Sequence, residues 1–223
     1  YVHLYRTNQS KEWNYQFIID AFDTGPKKKK QQKNDFEIDI DKVALSNVKF
    51  HMDDAWGGSD YDIDMGNFLL DADKLDFKNR KVAINILEIE QALVSIREYE
   101  VAKGYQRKPK IQHIDTSSFN PDLWVVTAKR LSLKGSRFIL NTSKSAAHPE
   151  EFDPEHIDVS SINIAVENLA IHEDTLTASV KNMTAFERCG LQVKALRADV
   201  SVSPNASICN HLYLETNRSK LQR

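Results

Sequence analysis

The sequence is poor in the residues that usually make tight turns and cross-links. It holds seven glycines, six prolines and two cysteines in 223 residues. Two cysteines exclude a disulfide scaffold, and Cys189 and Cys209 are not at a metal-ligand spacing. They either pair in an oxidising compartment or stay as free thiols, the simpler reading. No run of about 18 apolar residues occurs, so nothing in this stretch reads as a membrane-spanning helix. No signal-peptide pattern is present either. Charge is nearly balanced, 30 Lys and Arg against 32 Asp and Glu, so no basic field exists for nucleic acid. Apolar residues make up 41 % of the chain, too many for a disordered segment.

Catalytic signatures are missing as well. There is no G-x-S-x-G elbow, phosphate-binding glycine loop, dinucleotide fingerprint or zinc-protease helix motif. We therefore expect no catalytic residue, metal or cofactor, and read the chain as non-enzymatic. Two polar clusters come nearest to a site. In Asp60-Tyr-Asp-Ile-Asp-Met-Gly66 the alternate carboxylates resemble a calcium loop. The glycine falls at the seventh position and the twelfth is Asp71, where a calcium loop needs Gly at six and Glu at twelve, so a half-exposed strand is expected. His148, Glu150, Glu151, Glu155, His156 and Asp158 lie close in sequence without a ligand spacing and read as a surface loop. The other histidines are scattered. Trp56 reads as packing over a sheet edge.

What is present is period two, and it repeats. Phe36–Met52 overlays Trp124–Leu140 at an offset of 88, placing Leu45 on Leu133 and Phe50 on Phe138. Met65–Ile86 overlays Val159–Val180 at an offset of 94, placing Phe68 on Ile162, Leu70 on Ile164, Leu75 on Leu169 and Phe77 on Ile171. Such self-similarity marks an array whose units bury apolar faces by stacking on neighbours. The expected organisation is one repeat-built β domain over 1–223, with copies over about 36–96 and 124–202. Ser46-Asn47 and Lys134-Gly135 interrupt the alternation and read as tight hairpin turns. Ser10–Phe22 reads as the one amphipathic helix, capped by Ser10 and ended by Gly25-Pro26. A lysine-rich, solvated loop follows over 24–34. Tyr1-Val-His-Leu-Tyr already alternates, and Gln222-Arg223 follows the last motif without a stop, so an internal piece of a longer protein is expected.

About twelve strands apolar on one face cannot be covered by one helix. Either the sheet packs on itself as a dry core, or it forms a trough whose lining meets something else. The lining is the reading we favour. Its candidates in the first copy are Leu45, Val48, Phe50, Phe68, Leu70 and Leu75, then Phe77, Val82 and Ile84. In the second they are Leu131, Leu133, Phe138 and Ile162, then Ile164, Leu169, Ile171 and Leu176. Acyl chains are the natural ligand for such a surface.

Five segments resemble the TamB/AsmA-like envelope proteins of Bacteroidetes-type bacteria. They are WNYQFIIDAF (Trp13–Phe22), VKFHMDDAW (Val48–Trp56), SSFNPDLWVVTAKRLSLKGSRF (Ser117–Phe138), EEFDPEHIDVSSINI (Glu150–Ile164) and ADVSVSPNASICNHLYLETNRSKL (Ala198–Leu221). The resemblance implies a mainly β fold: an elongated, twisted antiparallel β trough, half-pipe or taco-like in section. It implies a periplasmic location within a protein anchored in the inner membrane. It further implies phospholipid transfer toward the outer membrane, or assembly and secretion of outer-membrane proteins with a β-barrel partner held by other parts of the full chain. The competing reading is a non-enzymatic β-repeat module that binds unfolded strands.

Overall fold

The alternation becomes eleven strands in one sheet. A computed structural model of the chain describes residues 1–16, 41–77, 79–101, 120–142, 146–148 and 150–223. The strands are β1 (Val2–Arg6), β2 (Lys42–Asp54), β3 (Ser59–Asp76), β4 (Lys81–Glu90), β5 (Leu93–Glu98), β6 (Val125–Asn141), β7 (His156–His172), β8 (Thr175–Glu187), β9 (Gln192–Ser203), β10 (Ala206–Thr216) and β11 (Lys220–Gln222). They follow one another across the sheet in chain order, except that β5 lies in line with β4: both pair with β3 on one side and β6 on the other.

The sheet is mixed, which corrects the antiparallel expectation. β1 runs parallel to β2, and β4 and β5 run parallel to β6. The second case follows from the repeat. β2, β3 and β4–β5 form one antiparallel unit and β6, β7 and β8 another. An odd number of antiparallel strands ends at the opposite end of the sheet from where it began. A second copy in the same orientation must then meet the first in parallel.

The two expected hairpin turns are also corrected. β2 and β6 run straight through Asn47 and Gly135. Both residues are left-handed within their strands, with φ of 54° and 57°. Gln91, between β4 and β5, and Ser161 in β7 are left-handed too, with φ of 54° and 53°. These positions line up across the sheet, with Gly66 of β3 lying between Asn47 and Gln91. A single left-handed residue shifts the alternation by one. So Val43 and Leu45 before Asn47 share a face with Val48, Phe50 and Met52 after it. Leu131 and Leu133 likewise share a face with Phe138 and Leu140 across Gly135. The interruption in the sequence pattern is a crease that keeps the apolar residues on one side.

No helix forms over Ser10–Tyr15; residues 17–22, and the lysine-rich stretch, lie outside the described residues. Ser10–Tyr15 makes bends and turns because Asn14 docks on the sheet instead. Its backbone N–H donates to the Tyr5 carbonyl at 2.8 Å. Its side chain accepts from the Tyr5 N–H and donates to the His3 carbonyl, each at 3.0 Å. Trp13 lies under the Arg6 guanidinium, 4.6 Å from ring centroid to Cζ. Asn14 thus satisfies β1 backbone groups on its free edge, and the aromatic residue expected to face a helix core covers an ion pair.

Register corrects one part of the internal alignment. The 88-residue offset holds between β2 and β6. Between β3 and β7 the rows match Phe68 with Ile164, Leu70 with Val166 and Leu75 with Ile171, an offset of 96 (164 − 68). The extra two residues sit in the turn. Four residues separate Asp76 from Lys81, whereas Glu173 and Asp174 alone join β7 to β8.

The left-handed position makes a prediction. Gly135→Val is expected to cost about 1–2 kcal/mol, because a Cβ disfavours this conformation. Gly135→Asn is expected to cost less than about 1 kcal/mol, as Asn47 occupies the matching place in β2. Urea midpoints of the two variants check it; equal losses would refute the crease.

Candidate functional site: one apolar face

Register partners on neighbouring strands project to the same side of a sheet. Followed strand by strand, they form apolar rows. One runs Leu45, Phe68, Ile89, Leu133, Ile164, Met183, Leu196, Leu214, Leu221, from β2 to β11 without a polar residue. A second runs Val43, Leu70, Leu87, Leu131, Val166, Val180, Ala198. A third runs Leu75, Val82, Val126, Ile171, Leu176, Val202. Ala72, Ile84, Ala128 and Leu169 form a shorter row between them. Beyond the crease, Phe50, Ile63, Val94, Phe138 and Val159 form another, with Val48 beside Met65 and Ile162 beside Ser136.

Sixteen of the seventeen lining candidates therefore share one face. The exception is Phe77, which lies past the end of β3 in the turn to β4 and is 67 % exposed. The Asp76 carboxylate accepts from the Asn79 N–H at 2.9 Å and turns the chain there, leaving Phe77 edge-on to Trp124 at 6.3 Å.

This face has no second layer among the described residues. The buried apolar residues are six alanines (Ala72, Ala92, Ala128, Ala178, Ala185, Ala198) and Ile162, and no large side chain is fully enclosed. Leu45 is 45 % exposed, Ile162 is buried, and the remaining candidates in the rows are half-buried. A packed sandwich would enclose Leu, Ile and Phe completely.

The other face is polar and cross-linked. Ser46 donates to Asn67, Asn67 to Glu90, and Lys134 to Glu90 at 2.9 Å. Lys49 meets Asp64 at 2.6 Å, and Lys129 meets Asp73 at 3.3 Å. Arg137 grips Asp158 with two hydrogen bonds of 2.9 and 2.7 Å, which hold that carboxyl below the usual range. Asp60, buried, takes Arg97 and the Tyr99 hydroxyl, Asp62 is bonded to His51 and Asp64 to Lys49, so the carboxylates that resemble a calcium loop in sequence each have a cross-strand partner. Cys189 and Cys209 are free thiols.

The polar stretch before β7 is a turn organised by Asp153. Its carboxylate accepts from the His148 N–H at 3.2 Å and the Glu155 N–H at 3.0 Å, and meets His156 Nδ1 at 2.8 Å. The sequence reading missed a different grouping. His3, His51, Asp53 and Asp62 converge on the polar face. The facing of His51, Asp53 and Asp62 was legible from the alternation in β2 and β3; the parallel docking of β1 was not.

Desolvation pushes the Asp153 carboxyl up, but the bonds from His148, His156 and Glu155 outweigh it and hold it down to about 2. A carboxyl depressed on folding stabilises fully above its unfolded value near 4, and that contribution disappears as pH falls toward 2. The Glu155 amide resonance is expected to titrate with a midpoint near 2, and to lose that step in Asp153→Asn. A midpoint near 4 in the native protein would refute the assignment.

Comparison with known proteins supplies no family: no protein-family model matches the chain, and no curated protein matches it in sequence.

Proposed function

We propose that the chain is a segment of a TamB/AsmA-like, periplasm-spanning protein whose apolar sheet face accepts phospholipid acyl chains in transit between inner and outer membranes. The observation that carries this reading is the unbroken, uncovered row from Leu45 to Leu221. Its rows run across the strands, along the direction in which the sheet grows. The row crosses nine strands, and eight gaps of about 4.8 Å give a path of about 38 Å. Each methylene withdrawn from water onto such a surface gains about 0.8 kcal/mol, and the gain is nearly equal at every step. An acyl chain would then slide without a large barrier, while the headgroup stays in water. A sheet curved into a trough around this face, the shape the resemblance implies, would shield the chain from two sides. The same surface, with a β-barrel partner bound elsewhere on the full protein, fits a role in outer-membrane protein assembly or secretion.

Phe50→Asp and Phe138→Asp test it, since the two residues lie in one row. On an uncovered face each change is expected to cost about 1 kcal/mol, the scale of a cross-strand pair. In a dry core it would cost roughly 3–5 kcal/mol. The native protein is expected to carry phospholipid through purification, detected by detergent-free native mass spectrometry. Both variants are expected to stay folded and arrive without it. A lipid-free native protein, or variants that unfold, would overturn the reading.

A second reading has its own support. β1 pairs only with Phe50–Asp54, so the outer edge of β2 from Lys42 to Asn47 has no strand partner among the described residues. An exposed edge adds strands. This reading predicts binding of β-hairpin peptides that Ala44→Pro abolishes and Phe50→Asp leaves unchanged.

A further inference from the structure

On the face opposite the apolar rows, the geometry points to a zinc-type metal site made by His3, His51 and Asp53. His3 and His51 are direct register partners on the parallel strands β1 and β2, with ring centroids 4.8 Å apart. Asp53 follows His51 by two residues and so faces the same way. Its carboxylate divides between the two rings. Oδ2 lies 2.9 Å from His3 Nε2, and Oδ1 lies 3.0 Å from His51 Nε2. All three donor atoms lie within 4.8 Å of one another. Tetrahedral zinc, with bonds of about 2.0–2.1 Å, needs donors about 3.3 Å apart. The two carboxylate–imidazole separations are already near that value, and the two ring nitrogens lie within 4.8 Å of each other.

Two further observations single this cluster out. His51 Nδ1 is bonded to the carboxylate of Asp62, its register partner on β3. That bond aims Nε2 at the other donors, as an outer carboxylate orients a ligating histidine. The neighbouring acids differ: Asp54 is taken by Arg6, Asp60 by Arg97 and Asp64 by Lys49. Asp53 and Asp62 are bonded to histidines. The ligand set is two neutral imidazoles and one carboxylate, which suits zinc and its neighbours over calcium or magnesium. Three protein ligands leave a fourth position for water or for a donor from another molecule. Binding would also tie the five-residue β1 to β2.

Calorimetric titration of the chain with zinc chloride is expected to show one zinc per chain. His3→Ala and His51→Ala are each expected to weaken binding at least about 100-fold, and Asp62→Asn about 10–100-fold by releasing the His51 ring. His211→Ala, which removes an exposed histidine bonded to Asp199, is expected to change nothing. Dependence on His51 separates the site from chelation by His3 and a terminal amine. His3→Gln, on the outer strand, checks the site without touching the sheet interior. No zinc bound by the native chain, or undiminished one-to-one binding in His51→Ala or His3→Gln, would overturn the proposal.

Discussion

A sheet with one apolar face must keep every apolar residue on that face along strands as long as eighteen residues. Strict alternation can do this only while neighbouring strands stay in step. Each twist, bulge or turn of unequal length threatens to rotate half a strand's leucines into water. The left-handed residues at Asn47 in β2, Gln91 between β4 and β5, Gly135 in β6 and Ser161 in β7 meet this constraint together, with Gly66 of β3 in line, so β2 to β7 change phase along one line. Register shifts nearer the other end do the same between Asp71 and Lys74 in β3 and beside Asn168 in β7. The continuous rows, the polar reverse face and the edge cluster all rest on this phase matching.

The energetics follow from the single layer that the described residues form. Where a sandwich draws stability from enclosed large side chains, this sheet encloses alanines and leaves its leucines, isoleucines and phenylalanines half-covered. Its cohesion comes from the backbone ladder, from lateral contacts within the rows, and from cross-strand ion pairs on the polar side. Exposed pairs of that kind contribute little singly. Their regular placement matters more for register, since sliding a strand by one residue would set Lys49 and Arg137 against the wrong neighbours and the apolar rows against water. An apolar surface of this extent is stable in water only with an occupant or a high tolerance for exposure. The proposal of an acyl-chain occupant answers that requirement.

The two faces divide the chemistry. The apolar side offers area without directional groups, which suits acyl chains of any kind that fit and gives no basis for choosing among headgroups. The polar side offers directional groups at fixed spacing. There, parallel docking of β1 places His3 beside His51, and β3 supplies Asp62 from beyond.

Period two, the repeat and the apolar identity of the lining positions were all readable in the sequence, because alternation is local and each strand records its own facing. So was the 88-residue equivalence of β2 and β6. The sequence did not determine what the interruptions at Asn47 and Gly135 mean: a left-handed residue serves a hairpin turn and an in-strand crease equally well, and only cross-strand hydrogen bonding distinguishes them. Nor did it determine the course of Ser10–Tyr15, where Trp13 and Asn14 turn to contacts with Arg6 and the β1 backbone. Parallel pairing, the two-residue slip between β3 and β7, and the meeting of His3 with His51 depend on residues some fifty to a hundred positions apart, a range at which alternation carries no information about which strand lies beside which.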